Sequence, residues 1–152
     1  MPSPNLDDLP DSLSHHIGYL FVRLGKHAQR LFSVEIATLG LRPPHCDILL
    51  TLADRGAMAQ VEIAQLLSIE RAHLVALLDQ LERLELVRRA ADPHDRRRHA
   101  VLLTEPGVQV AAQVADIALR VEDALLDGLP VVERELLRNS LRHVARDAEE
   151  GD

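Results

Sequence analysis

The chain has 152 residues, nearly half of them apolar, a formal charge of −7, and Tyr19, Phe21 and Phe32 as its aromatic side chains. That is enough length for one domain with its own core, built from Leu, Val, Ile and Ala as packed helices are. A single cysteine excludes an internal disulfide and a Cys-rich zinc site, and no apolar run approaches a membrane span, so a soluble, cytoplasmic protein with no membrane partner is expected.

Residues 1–11 read as a flexible tail, because Pro2, Pro4 and Pro10 cannot continue a helix and little there is apolar. From Ser12 or Ser14, the residues Ile17, Leu20, Phe21, Leu24, Ala28, Leu31 and Phe32 share one helical face. This predicts a long first helix running to about Leu39 and closed by Gly40. A second helix begins with Pro43 and Pro44 in its first turn and stops at Gly56. A short extended piece, a compact helix around Val61–Leu67 and a helix from about Ile69 to Glu85 follow. Leu74, Leu77, Leu78, Leu81 and Leu84 form the buried stripe of that fourth helix. Two helices joined by so short a turn suggest a helix-turn-helix.

Leu86–Ala90 and His99–Thr104 can each be a strand, with the turn-forming Asp-Pro-His-Asp between them, so a β-hairpin is expected. Thr104 is placed to cap a fifth helix that tolerates Pro106 in its first turn and carries Val110, Val114, Ile117, Val121 and Leu125 on its apolar face. Gly128 and Pro130 separate it from a last helix, Val131–Ala148, with Leu137, Leu141, Val144 and Ala148 on one side.

Charge is not spread evenly. Residues 83–99 hold six basic against three acidic side chains, while the stretches on either side are both net acidic. Overall acidity argues against indiscriminate polyanion binding, yet Arg96, Arg97 and Arg98 at a hairpin tip can grip phosphates locally. A plain solvated turn is the other reading of such a run. A helix-turn-helix followed by a basic hairpin is a winged arrangement, in which one helix fits the major groove and the hairpin reaches the backbone or minor groove.

The stretch Leu77–Gly107 resembles the MarR-type winged-helix transcriptional regulators. Leu81-Glu82, Leu86-Val87, Arg89, Asp95-Arg96-Arg97, Leu103-Thr104 and Gly107 stand at that family's spacing. The resemblance implies a mainly α fold with a small β-hairpin wing: a winged helix-turn-helix over about 57–104, and N- and C-terminal dimerisation helices over about 12–40 and 105–150, all in one domain spanning 12–152. It also implies a homodimer on a near-palindromic operator in double-stranded DNA. Apolar helices at both chain ends suit a dimer, and they suit the core of a monomer equally well.

On the fourth helix a 100° step per residue sets Ala72, Ala76, Gln80 and Arg83 opposite the Leu stripe, with Arg71 and His73 near its start. Arg71 can bond guanine O6 and N7, and the two alanines allow close approach. With Arg96, Arg97 and Arg98 these are the candidate DNA contacts; Asp95 and Arg89 are candidates for holding the wing's shape. Two residues depart from the family pattern. Glu70 stands where a small hydroxyl residue is usual, so that either it turns away from phosphate or Ser68 caps the helix. Glu85 stands in place of a glycine, and must take an unfavourable φ or end the helix differently.

Relatives in the family often release DNA on binding a small aromatic acid or phenol, or on oxidation of a cysteine. Tyr19, Arg23, His45 and Cys46 fall on the first two helices and are the candidate effector contacts, with thiol-redox sensing through Cys46 as an alternative. His15-His16 and His45-Cys46 are sequence neighbours that diverge by 100° on a helix, so no metal or other cofactor is expected. Nothing supplies an orienting group or oxyanion donors for His45 and Cys46, so an enzyme is not expected. The remaining alternative is a helical protein-interaction dimer that no longer binds DNA.

Overall fold

The computed structural model of the chain describes residues 6–91 and 99–149. Within them, a short helix α1 (Asp11–Ser14) precedes α2 (Ile17–Ala37) and α3 (Pro43–Arg55), followed by β1 (Met58–Ala59), α4 (Gln60–Leu66) and α5 (Arg71–Arg83). The hairpin strands β2 (Val87–Ala91) and β3 (His99–Leu103) lead into α6 (Glu105–Leu125) and α7 (Val131–Glu149). The sheet is antiparallel in the order β1-β3-β2, with Ala100 of β3 opposite both Ala59 and Ala90. The short extended piece before α4 is therefore the third strand of the sheet that carries the wing.

The core forms where α3, α5, α6 and the sheet meet. Ile48, Leu49 and Leu52 of α3 are buried with Leu74, Leu77, Leu78 and Leu81 of α5, Val101 of β3 and Val114 of α6. Local rules set the ends of these elements. Pro43 and Pro44 occupy the first turn of α3, and Gly56 ends it at φ 77°. The Thr104 hydroxyl caps α6 by accepting from the Gly107 N–H at 3.0 Å.

The turn between α4 and α5 resolves the question that Glu70 raised. Ser68 sits in the left-handed region at φ 51°, its N–H donating to the Gln65 carbonyl and that of Ile69 to the Ala64 carbonyl. This is a Schellman closure of α4, which leaves Ser68 unable to cap α5. Glu70 takes that role instead, accepting from the Ala72 N–H at 3.4 Å, and its carboxylate is favoured by the positive end of the helix dipole. At the other end of α5, Glu85 adopts φ 59°, with Leu86 N–H donating to the Leu81 carbonyl at 3.0 Å. Here the helix keeps the closure that a glycine would give and accepts the unfavourable φ.

Two expectations need correction. The first helix is broken at His15 and His16, because His16 has an extended ψ of 117° and opens α2 as its N-cap. Leu84 is 44% exposed, since α5 ends at Arg83 and the next residue leaves the helical stripe. The apolar faces of the terminal helices divide: Leu31 and Phe32 of α2 and Val114, Ile117 and Val121 of α6 pack into the core, whereas Ile17, Phe21 and Leu24 of α2 and Leu137, Leu141 and Val144 of α7 are exposed in the single chain.

Candidate nucleic-acid interface

The α5 helix is amphipathic by period, and its Leu stripe is buried, so the residues half a turn away are turned outward. Arg71, Ala72, His73, Ala76 and Arg83 are all exposed, and Val75, which the sequence reading passed over, is exposed beside them. Two alanines in the middle of this face leave the backbone open to close approach. Arg71 stands at the N-terminal end, the end that a recognition helix points at base edges.

Two attachments fix the direction of the helix. The first comes from the wing strand: the Arg89 guanidinium of β2 pairs with Asp79 at 2.8 Å and with Glu82, both on α5, and the Arg89 N–H donates to Glu82 at 3.2 Å. Arg89 thus ties wing to helix through two carboxylates. The second comes from α3. The Gln80 side-chain oxygen accepts from Arg42 Nη2 at 2.7 Å and from His45 Nε2 at 2.9 Å, while His45 Nδ1 accepts the Arg42 N–H at 3.2 Å. Gln80 is half-buried and turned toward α3, which corrects its assignment to the outer face.

A cleft of about 560 Å³ opens between the start of α5 and the sheet, lined by Ala59, Gln60, Val61, Arg71, Arg89 and His99. Gln60 and His99 were missed in the sequence. They become neighbours of Arg71 only once β1 pairs with β3, a contact between residues some forty positions apart that no local pattern announces. Asp95, Arg96, Arg97 and Arg98 lie outside the described residues.

The four candidate effector contacts do not form one site. Tyr19 and Arg23 are half-buried on α2, whereas His45 and Cys46 are inside the core at 3% and 0% exposure. Burial pushes the His45 pKa down, helped by the nearby Arg42 and His73 charges and opposed by its bond to Gln80. Burial, with Asp47 adding to it, pushes the Cys46 thiol up to about 12, far from a reactive thiolate. His45 is a structural bridge and Cys46 a core residue, which corrects both assignments. An apolar cavity of about 470 Å³ lies elsewhere, between α2, α6 and α7, lined by residues that include Phe32, Leu125, Leu137 and Leu141. Among the described residues, no group of three or more His, Cys, Asp or Glu could hold a metal ion, and no helix is long and apolar enough to cross a membrane.

Residues 39–98, which begin within the α2–α3 connection, match the family model described as MarR family. The transcriptional regulator HosA of Escherichia coli is 31% identical over 102 residues, covering 67% of this chain and 76% of that protein. The transcriptional repressor CouR, solved bound to a 23-mer DNA duplex, is 34% identical with a TM-score of 0.78, over 91% of this chain and 99% of that one. BpsR of Bordetella bronchiseptica, from a structure on regulation of its DNA binding by 6-hydroxynicotinic acid, is 25% identical with a TM-score of 0.71, over 85% and 98% of the two chains. Two of these relatives are transcriptional regulators, and the third binds DNA. A helix-turn-helix with a hairpin wing, matched in sequence over its reading elements and in fold over nearly the whole chain, makes this protein a member of the MarR family of winged-helix transcriptional regulators.

Proposed function

We propose that the protein is a sequence-specific repressor that binds a near-palindromic operator as a homodimer and releases it when a small aromatic acid or phenol binds. The observation that carries this reading is the outward face of α5, with Arg71, Ala72, His73, Ala76 and Arg83 exposed beside a hairpin braced to the same helix by Arg89. In this reading Arg71 reads a guanine in the major groove, His73 and Arg83 contact bases or phosphates, and Ala72 and Ala76 permit the approach. Arg96, Arg97 and Arg98 reach the backbone and minor groove from the hairpin tip, with Asp95 shaping the loop.

The homodimer is supported by the uncovered faces at the two ends of the chain. Ile17, Phe21 and Leu24 on one and Leu137, Leu141 and Val144 on the other expose apolar area that a single chain does not cover. The winged part then spans about 57–104 and the dimerising helices about 12–40 and 105–150. CouR supplies the precedent of a repressor on DNA, and BpsR that of a small aromatic acid acting on DNA binding. Tyr19 and Arg23 are the two of the four original candidates that an effector can reach, and the cavity beside Phe32 is of a size that takes such a molecule.

Footprinting of the purified protein on the DNA upstream of its own gene, repeated with candidate aromatic acids, tests the reading. Protection of two half-sites about one helical turn apart, lost on adding an acid, is the expected result. In the same assay Arg97→Ala weakens binding by about 1–3 kcal/mol. Absence of any protection at low salt overturns the reading in favour of a protein-interaction dimer.

A further inference from the structure

The start of α3 and the recognition helix α5 are joined by a closed set of hydrogen bonds. The Arg42 N–H donates to His45 Nδ1, His45 Nε2 donates to the Gln80 oxygen, and that oxygen also accepts the Arg42 guanidinium. His45 is buried, and Arg42 directly follows the short connection from α2. The link therefore joins the recognition helix to the point where α2, proposed as a dimerising helix, hands over to the winged part.

One bond in the set fixes the protonation state of the ring. With Nδ1 accepting an N–H, the ring proton must sit on Nε2 and the ring must be neutral. A second proton would be added at Nδ1, facing the Arg42 N–H, and would abolish that bond. It would also create a cation that shares an oxygen with the Arg42 guanidinium. The charged and titratable groups bearing on the ring are Arg42 at the start of its own helix and His73 of α5, and both oppose added positive charge. The bond to Gln80 is the one favourable influence, and α2, α6 and β3, packed against α3, contribute no compensating carboxylate among the described residues.

We propose that Arg42, His45 and Gln80 are positioning residues that hold α5 in its DNA-reading orientation while the His45 ring is neutral, so that protonation of the ring, which breaks the Arg42 N–H bond and sets two cations on the Gln80 oxygen, loosens the link and weakens operator binding. The inference rests on the proposed reading of α5 as the helix that enters DNA. Its direction is diagnostic, because histidines on a DNA-facing surface strengthen phosphate binding when protonated.

The test uses the full chain, with and without its footprinted duplex. Affinity is measured at constant ionic strength at pH 7.5 and 5.8, for the natural protein and for His45→Gln, whose amide can still donate to Gln80 and does not titrate. The natural protein is expected to lose affinity at the lower pH by up to about fivefold, the ceiling for a ring whose pKa in the DNA-free protein lies below 6.5. His45→Gln should stay level or gain. Parallel pH profiles for the two proteins overturn the proposal. In the DNA-free protein, NMR of the labelled chain should show the Gln80 side-chain amide and the α5 backbone amides shifting with the titration of the His45 ring. Should those signals ignore that titration, the link positions nothing, whether or not a duplex binds. Should they follow it while no duplex is retained at either pH, the link stands and the reading of α5 as a DNA helix fails.

Discussion

A Cβ placed on Gly107 would stand 1.9 Å from the carbonyl oxygen of Leu86, so the first turn of α6 runs against the end of the α5–β2 connection with no room for a side chain. The same joint is bonded from both sides. The Thr104 N–H donates to the Leu86 carbonyl at 3.1 Å, and the Thr104 hydroxyl donates to the Glu85 carbonyl at 2.5 Å. The obstruction is backbone, which cannot rotate out of the way. Gly107→Ala is therefore expected to cost about 3 kcal/mol of folding stability, read as a lower midpoint in urea with an unchanged m-value. A loss under about 1 kcal/mol would mean that α6 can slide away from Leu86 at little cost.

Glu85 calls for the opposite substitution. It is exposed, and its φ of 59° is a conformation in which a Cβ is crowded by backbone. Gly40 performs the same closure at the end of α2, at φ 71°, without that strain. Glu85→Gly relieves roughly 1 kcal/mol of strain and returns part of it as extra freedom in the unfolded chain. A net gain of about 0.5 kcal/mol in chemical denaturation is expected. A loss of stability in Glu85→Gly would show that the Glu85 carboxylate makes a favourable contact after all.

Cys46 bears on how the protein can be switched. With the thiol fully buried and its pKa pushed up to about 12, the thiolate fraction at pH 8 is about one in ten thousand. Modification by a disulfide reagent should then be at least about 100-fold slower in the native protein than in denaturant. Peroxide treatment that leaves the fold intact should leave DNA binding unchanged. Fast native labelling, or loss of binding that Cys46→Ser abolishes, would reinstate redox sensing.

What could be read from the sequence follows from how far each rule reaches along the chain. Thr104 before Pro106, the paired prolines that open α3 and Gly56 after it are local signals, and each element begins or ends where those residues place its boundary. Leu84 continues a leucine period that the backbone abandons one residue earlier, so periodicity alone overextended the stripe. His15 and His16 interrupt a helix whose apolar spacing runs on unbroken, because spacing records which face is apolar and not whether ψ stays helical. Gln80 was placed outward by angular position, but donors 35 and 38 residues earlier draw its side chain inward, and nothing near residue 80 encodes them. The terminal helices show the same limit: an apolar stripe calls for a cover without saying whose.

The neutral ring of His45 also makes folding itself depend on pH, and the sign can be worked out before measurement. Burial holds its pKa below the ordinary histidine value of 6.5. Below that value the unfolded chain takes up a proton that the folded chain refuses, so protons favour the unfolded state. The stability associated with the buried ring is fully present above pH 6.5 and is lost as the pH falls toward the folded-state value, at a slope of no more than about 1.4 kcal/mol per pH unit. Other groups titrate in the same range, so the comparison is between the natural protein and His45→Gln across pH 7.5 to 5.5. The natural protein should lose about 1 kcal/mol more over that interval, measured by urea denaturation at each pH. Coincident slopes would mean that the ring takes up its proton as readily in the folded chain as in the unfolded one, and that the Arg42 N–H does not hold it neutral.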